Sequence, residues 1–225
     1  MRIHYLQHES FEGPSYIADY AAKHFCTITG SKLYLGEPLP PLDSFDLLLI
    51  LGGPMNIHEE YKYPWLKAEK HFIRKVISVN KCVLGICLGS QLLADVLGGS
   101  VTKNAFTEIG WFPVSSTWPV LPAEFTAFHW HGDTFSAPAG SIPFASSKAC
   151  PNQGFIYHEK VIGLQFHLEI TASYIQDMFA NAWDDKTGGP YVQSKEQILA
   201  KIDNVKANNL LMDRIMGYFV EMTAG

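Results

Sequence analysis

The chain has 225 residues, of which 47% are hydrophobic and 17% charged, enough apolar content to build a core unaided; this excludes a disordered or low-complexity protein. The 17 Lys and Arg against 22 Asp and Glu give a net charge of -5 with no block of like sign, which argues against a phosphate-tracking surface for nucleic acid. Cys26, Cys82, Cys87 and Cys150 contain no CxxC pair and are too few for a disulfide scaffold at this length.

Arg2 to Gln7 reads as a short first strand, with Ile3 and Tyr5 alternating with polar neighbours. Gly13-Pro14-Ser15 opens a helix over Tyr16 to Phe25, whose apolar positions Ile17, Tyr20, Ala21 and Phe25 fall at helical spacing. A second strand is expected over Thr27 to Leu35, closed by Gly36. Phe45 to Leu51 carries a continuous apolar run ending in Gly52-Gly53-Pro54, the pattern of a parallel strand buried on both faces. A helix over Trp65 to Val79, a strand over Lys81 to Ile86 and a helix over Ser90 to Leu97 follow, the last ending at Gly98-Gly99. This alternation predicts a doubly wound α/β sheet. From Val101 to Gln165 the texture changes to short β runs (Gly110 to Ser115, Thr126 to Trp130, Val161 to Gln165) broken by Pro and Gly. Helices return over Ala172 to Asp184, Lys195 to Asn208 and Asn209 to Met222. The start, Met1 to Tyr5, lacks the apolar stretch of a signal peptide, and Gln91 and Asp95 interrupt the most apolar stretch, Cys82 to Leu97. A soluble, reducing, cytoplasmic setting is therefore expected, with no membrane partner.

The sharpest feature is Gly85-Ile86-Cys87-Leu88-Gly89, a G-x-C-x-G between a strand and a helix. Such an elbow presents a nucleophile on a tight, strained turn, where a Cβ on either glycine would clash. The helix N-terminus favours a thiolate at Cys87, and the N–H of Leu88 would face the oxygen of an attacked carbonyl. Downstream, His167-Leu168-Glu169 places a base and a carboxylate two residues apart, on one side of an extended segment. Glu169 would fix the tautomer of His167 while the other ring nitrogen faces Cys87, the logic of cysteine acyl transfer. Gly53, directly after a buried strand, is placed to offer a second N–H to the oxyanion. The other three cysteines lack such surroundings and read as small core hydrophobes.

Gly85-Ile86-Cys87-Leu88-Gly89-Ser90-Gln91, preceded by Gly52-Gly53-Pro54 and followed by Gln165-Phe166-His167-Leu168-Glu169, resembles the class I, triad-type glutamine amidotransferases. His131-Gly132-Asp133, followed by a proline-containing loop, resembles the GMP synthetase branch of that family. The resemblance implies a flavodoxin-like, mostly parallel central sheet flanked by helices, with a helical C-terminal tail. It implies one domain over 1–225, a catalytic core over 1–170 with helices over 171–225 packing on it. The implied reaction is hydrolysis of the glutamine γ-amide through a γ-glutamyl thioester, giving glutamate and ammonia. It casts Cys87 as nucleophile, His167 as base and then acid, and Glu169 as its orienting partner, with backbone N–H groups of Gly53 and Leu88 as the oxyanion hole. Gln91 and the loop at His131, Gly132 and Asp133 match positions that hold the substrate.

Two residues depart from the family pattern: Leu88 stands where the GMP synthetase branch usually has Tyr, and Leu168 where the family often has Pro. The segment 171–225 is too short for an ATP-pyrophosphatase domain, so a stand-alone member is expected. Its partners would be glutamine or another γ-glutamyl compound, and a synthetase or a second copy of the chain. Some stand-alone relatives cleave γ-glutamyl bonds in peptides or conjugates. His129, His131 and Asp133 form H-x-H-x-D, but no further ligand cluster follows at convincing spacing, so the segment reads as a substrate loop and neither metal nor cofactor is expected. The α/β-hydrolase order of nucleophile, acid and histidine fits poorly, because Glu169 follows His167.

Overall fold

A computed structural model describes residues 1–224. Its chain runs β1 (Arg2–Gln7), α1 (Tyr16–Lys23), β2 (Thr27–Lys32), β3 (Leu47–Ile50), α2 (Trp65–Ser78), β4 (Cys82–Ile86) and α3 (Leu88–Val96). It continues through β5 (Val101–Ser116), β6 (Glu124–Phe135), β7 (Ser141–Ser146), β8 (Gly154–Tyr157) and β9 (Val161–Leu164), then α4 (Ala172–Asn181), α5 (Lys195–Leu199) and α6 (Asn204–Ala224).

All nine strands join one sheet in the order β2-β1-β3-β4-β9-β8-β7-β5-β6. The β2-β1-β3-β4-β9 half is parallel, as the apolar runs predict, and β9 hands over to an antiparallel half made of β8, β7, β5 and β6. The change of texture after Val101 is this second half. The strand β3 shows why a continuous apolar run was needed. Leu47 and Leu49 pack with Ile17 of α1 and Met212, Ile215 and Phe219 of α6. Leu48 and Ile50 face the other way, onto Leu66 and Ile73 of α2 and Leu92 and Leu93 of α3. A third apolar cluster joins Ile109, Trp111 and Phe128 of β5 and β6 to Tyr174 and Met178 of α4 and Ile198 of α5. The chain order reverses at β1, and the segments leaving the carboxyl ends of β1, β3, β4 and β9 meet above the sheet, where ligands of doubly wound folds bind.

Several expected boundaries differ. The first helix stops at Lys23, and Phe25 stands 97% exposed with φ 54°, so it is a turn residue rather than a fourth buried position. The second strand stops at Lys32, because Leu33–Leu35 coil into a 3-10 turn closed by Gly36 in the left-handed region. The tail breaks at residues 200–203, between α5 and α6, and not at Asn208–Asn209, which both lie inside α6. Asparagine is a poor helix former, but here each amide has a tertiary acceptor. Asn208 Nδ2 donates to the carbonyl of Thr126 at 2.8 Å, and Asn209 Nδ2 donates to those of Leu168 and Ile170 at 3.1 and 2.9 Å. Among the described residues no helix is long and apolar enough to cross a membrane.

Candidate active site

The turn from β4 into α3 puts Cys87 at φ 52°, ψ -108°, a conformation that costs a non-glycine residue roughly 1–3 kcal/mol. Both flanking glycines are required for close approach. A Cβ on Gly85 would lie 2.5 Å from the carbonyl oxygen of Gly89, and one on Gly89 2.1 Å from that of Ile50. The backbone of Cys87 is held by its own N–H donating to Leu164 at 2.8 Å and its carbonyl accepting from the Ser90 hydroxyl at 2.7 Å. Its sulfur accepts from Gln165 Nε2 at 3.7 Å and donates to the carbonyl of Trp130 at 3.8 Å.

Beyond β9, His167 is pinned by its N–H donating to the carbonyl of Phe128 at 2.8 Å. Its Nδ1 lies 2.7 Å from Glu169 Oε1, and the other carboxylate oxygen accepts the N–H of Leu168 at 3.0 Å. Nε2, the second ring nitrogen, has no hydrogen-bond partner. Burial opposes a charge on His167, but the negative charge of Glu169 and then the neighbouring Cys87 outweigh it and hold its pKa well above the usual histidine value.

A cavity of about 430 Å³ opens over these groups. Cys87, His167, Gly53, Leu88, Gln91, His131, Gly132 and Asp133 all line it, whereas Glu169 stands behind His167. The chain thus gathers all nine residues singled out from sequence around one space. Among the described residues, the N–H groups of Gly53 and Leu88 donate to no loop or side-chain acceptor. The expected substrate-binding side chains are already engaged. Gln91 donates to Gln165 Oε1 at 3.1 Å, and Asp133 accepts from Asn56 at 2.8 Å and pairs with Lys103 at 2.9 Å. The His131 ring is turned inward, its Nδ1 2.9 Å from the carbonyl of Asp133 and its Nε2 3.0 Å from Glu108.

Glu108, His129 and His131 place three possible metal-donor atoms within 4.8 Å of one another, a grouping the sequence spacing did not reveal because Glu108 comes from β5. The Glu108 carboxylate also accepts from Ser147 and Gln153, at 2.8 and 2.7 Å. Burial drives the His129 pKa down to about 3, so that ring is neutral.

Two further groups escaped sequence reasoning. His8, just past β1, has Nδ1 2.9 Å from the carbonyl oxygen of Gly52 and Nε2 2.8 Å from Glu69 of α2. Glu12 is buried on the cavity wall and accepts from the Tyr174 hydroxyl at 3.3 Å. Burial pushes its pKa up to about 7, and the charges of His167 and His8 only partly resist. A lone acidic or histidine side chain in a loop carries no periodic signal, and their partners lie 44 to 162 residues away.

The family model for class I glutamine amidotransferases matches residues 26–183. The chain is 33% identical over 215 residues to the glutamine amidotransferase-like protein YfeJ of Salmonella typhimurium, covering 89% of this chain and 90% of that one. It is 34% identical over 149 residues to one of the subunits of the glutamine-hydrolyzing GMP synthase of Thermoplasma acidophilum, covering 62% and 72%. In structure it is similar to a glutamine amidotransferase of Thermotoga maritima, with a TM-score of 0.90, 32% identity and 98% of each chain covered.

Proposed function

The chain belongs to the class I glutamine amidotransferases, enzymes of glutamine-amide hydrolysis and ammonia donation, and we propose that it carries out this cleavage itself with Cys87, His167 and Glu169. In this reading residues 1–225 act as one unit. The Cys87 sulfur attacks the γ-carbonyl carbon of glutamine as its proton passes to His167 Nε2. The developing oxyanion takes the N–H groups of Gly53 and Leu88. His167 returns the proton to the amide nitrogen, the C–N bond breaks and ammonia leaves, with the glutamyl group held as a thioester. A water molecule then attacks, losing its proton to His167. The C–S bond breaks as His167 returns that proton to the sulfur, releasing glutamate and the Cys87 thiol.

The observation that carries the reading is the 2.7 Å contact of Glu169 with His167 Nδ1, which leaves Nε2 free in the cavity that Cys87 also lines. The test is glutamate release from glutamine, set beside release from γ-glutamyl dipeptides, by the unaltered protein and by Cys87→Ala. Loss of at least a thousandfold in the variant, with a glutamyl adduct detected by mass only in the unaltered protein, is expected. Equal release by both refutes it. Similarity to a glutamine-hydrolyzing component of a GMP synthase favours a second reading, in which the ammonia feeds a separate synthetase. Glutaminase activity that rises only when such a partner is added would distinguish it.

A further inference from the structure

The N–H of Gly53 and the carbonyl of Gly52 belong to one peptide unit. In a trans peptide they point in opposite directions, so whatever aims the carbonyl also aims the N–H. The structure has no cis peptide among its described residues. The carbonyl of Gly52 is met at 2.9 Å by His8 Nδ1, and the same ring meets Glu69 Oε1 at 2.8 Å through Nε2. A backbone carbonyl and a carboxylate are both acceptors, so the ring satisfies both when each nitrogen carries a proton. Geometry therefore calls for an imidazolium, paired with the Glu69 carboxylate. Both side chains are wholly buried, and the ring is stacked on Trp65 at 5.3 Å and 24°. Gly53 lines the cavity, yet it has no room for a side chain. A Cβ there would lie 2.6 Å from Met55 Sδ, 2.8 Å from Leu88 Cδ2 and 3.1 Å from His8 Cβ.

We propose that His8, held by Glu69, is a positioning residue of the reaction: it locks the Gly52–Gly53 peptide with its N–H toward the oxyanion and, by its charge at the carbonyl end, strengthens that donor. A positive charge beside the carbonyl oxygen polarises the whole amide toward its N–H, an effect magnified in a buried setting. Burial alone would lower the pKa of His8, but the Glu69 charge and the bonds to Glu69 and Gly52 raise it above the usual value. The site thus draws on two buried histidine–carboxylate pairs: His167–Glu169 would handle protons, and His8–Glu69 would aim a donor. The inference rests on the reading of Cys87 as nucleophile.

The experiment uses the full chain with glutamine as substrate. His8→Gln keeps an amide nitrogen near the Nε2 position, toward Glu69, and loses the donor to Gly52, whereas His8→Asn keeps one near Nδ1. Loss of at least tenfold in kcat with KM within twofold is expected for His8→Gln, with a substantial part recovered in His8→Asn. Affinity for the aldehyde analogue of glutamine, whose hemithioacetal oxygen would occupy the same donors, should fall in step with kcat. Thermal melts establish folding. Should His8→Gln not fold, Glu69→Gln carries the test, with kcat expected to fall at least threefold at constant KM. Unchanged kcat in a folded variant, or a loss confined to KM, overturns the inference. Full glutaminase activity in Cys87→Ala would instead sink the nucleophile reading on which it stands.

Discussion

Replacing Glu12 by Gln isolates the energetic cost of a buried acid beside the candidate catalytic histidine. Glu12 ionises near 4.5 when exposed and near 7 in the folded chain, with burial as the main cause. Between those values the folded state holds a proton that the unfolded chain has lost, so raising the pH through this window costs stability. The penalty is absent below about 4.5 and complete above about 7, where it amounts to about 3 kcal/mol. Gln has nearly the same shape, keeps an oxygen for the Tyr174 hydroxyl and cannot ionise. Any constant effect of its new amide cancels when two pH values are compared. Urea and thermal unfolding of the parent and Glu12→Gln at pH 5 and pH 8 provide the readout. The stability difference should shift in favour of the variant by about 2.5 kcal/mol between them, or by about 5–10 °C in Tm for a chain of this size. The same difference at both pH values refutes the reasoning, because it would mean that Glu12 titrates alike in the folded and unfolded chain.

Glu169→Gln removes the charge that most raises the pKa of His167. That charge stabilises the imidazolium fully below the ordinary histidine pKa and loses its contribution as pH rises through the raised value. The variant should therefore have a lowered His167 pKa by NMR titration and a kcat reduced at least a hundredfold, and a kcat within tenfold of the parent refutes the role. Gly89→Ala would drive a Cβ to 2.1 Å from the carbonyl oxygen of Ile50, a backbone atom of β3 that cannot swing aside. A loss of about 3 kcal/mol, or about 6–12 °C in Tm, is expected from thermal melts; a fall under about 2 °C means α3 does not seat on β3 as described.

What could be read from sequence was what local chemistry specifies. Gly85, Cys87 and Gly89 announce the elbow because only glycines fit the close approach of α3 to its neighbours. The run Leu47 to Leu51 announces a strand buried on both faces, and His167 with Glu169 announces a pair because the two are near neighbours in the chain. The groups missed are those whose meaning lies in distant partners. Nothing near His8 in the sequence points to Glu69, which stands 61 residues away on α2. Glu12 resembles any acidic loop residue until Tyr174 and His167 close over it. The loop of His131, Gly132 and Asp133 lines the cavity, but the partner of the His131 ring, Glu108, comes from β5 and is invisible in the local spacing. Asn208 and Asn209 suggested a helix break because propensity is a local quantity, whereas the carbonyls that hold them belong to β6 and to the chain beyond β9.

The grip of Asn209 on the carbonyls of Leu168 and Ile170 clamps the main chain on both sides of Glu169. The matched family region ends at residue 183, so this clamp comes from outside it. The last helix is therefore part of the jig that sets the Glu169 carboxylate, and exchanging it with that of a relative would also replace a fixture of the proposed triad. Variation in this tail, which looks peripheral along the chain, would be felt first in how the Glu169 carboxylate meets the His167 imidazole.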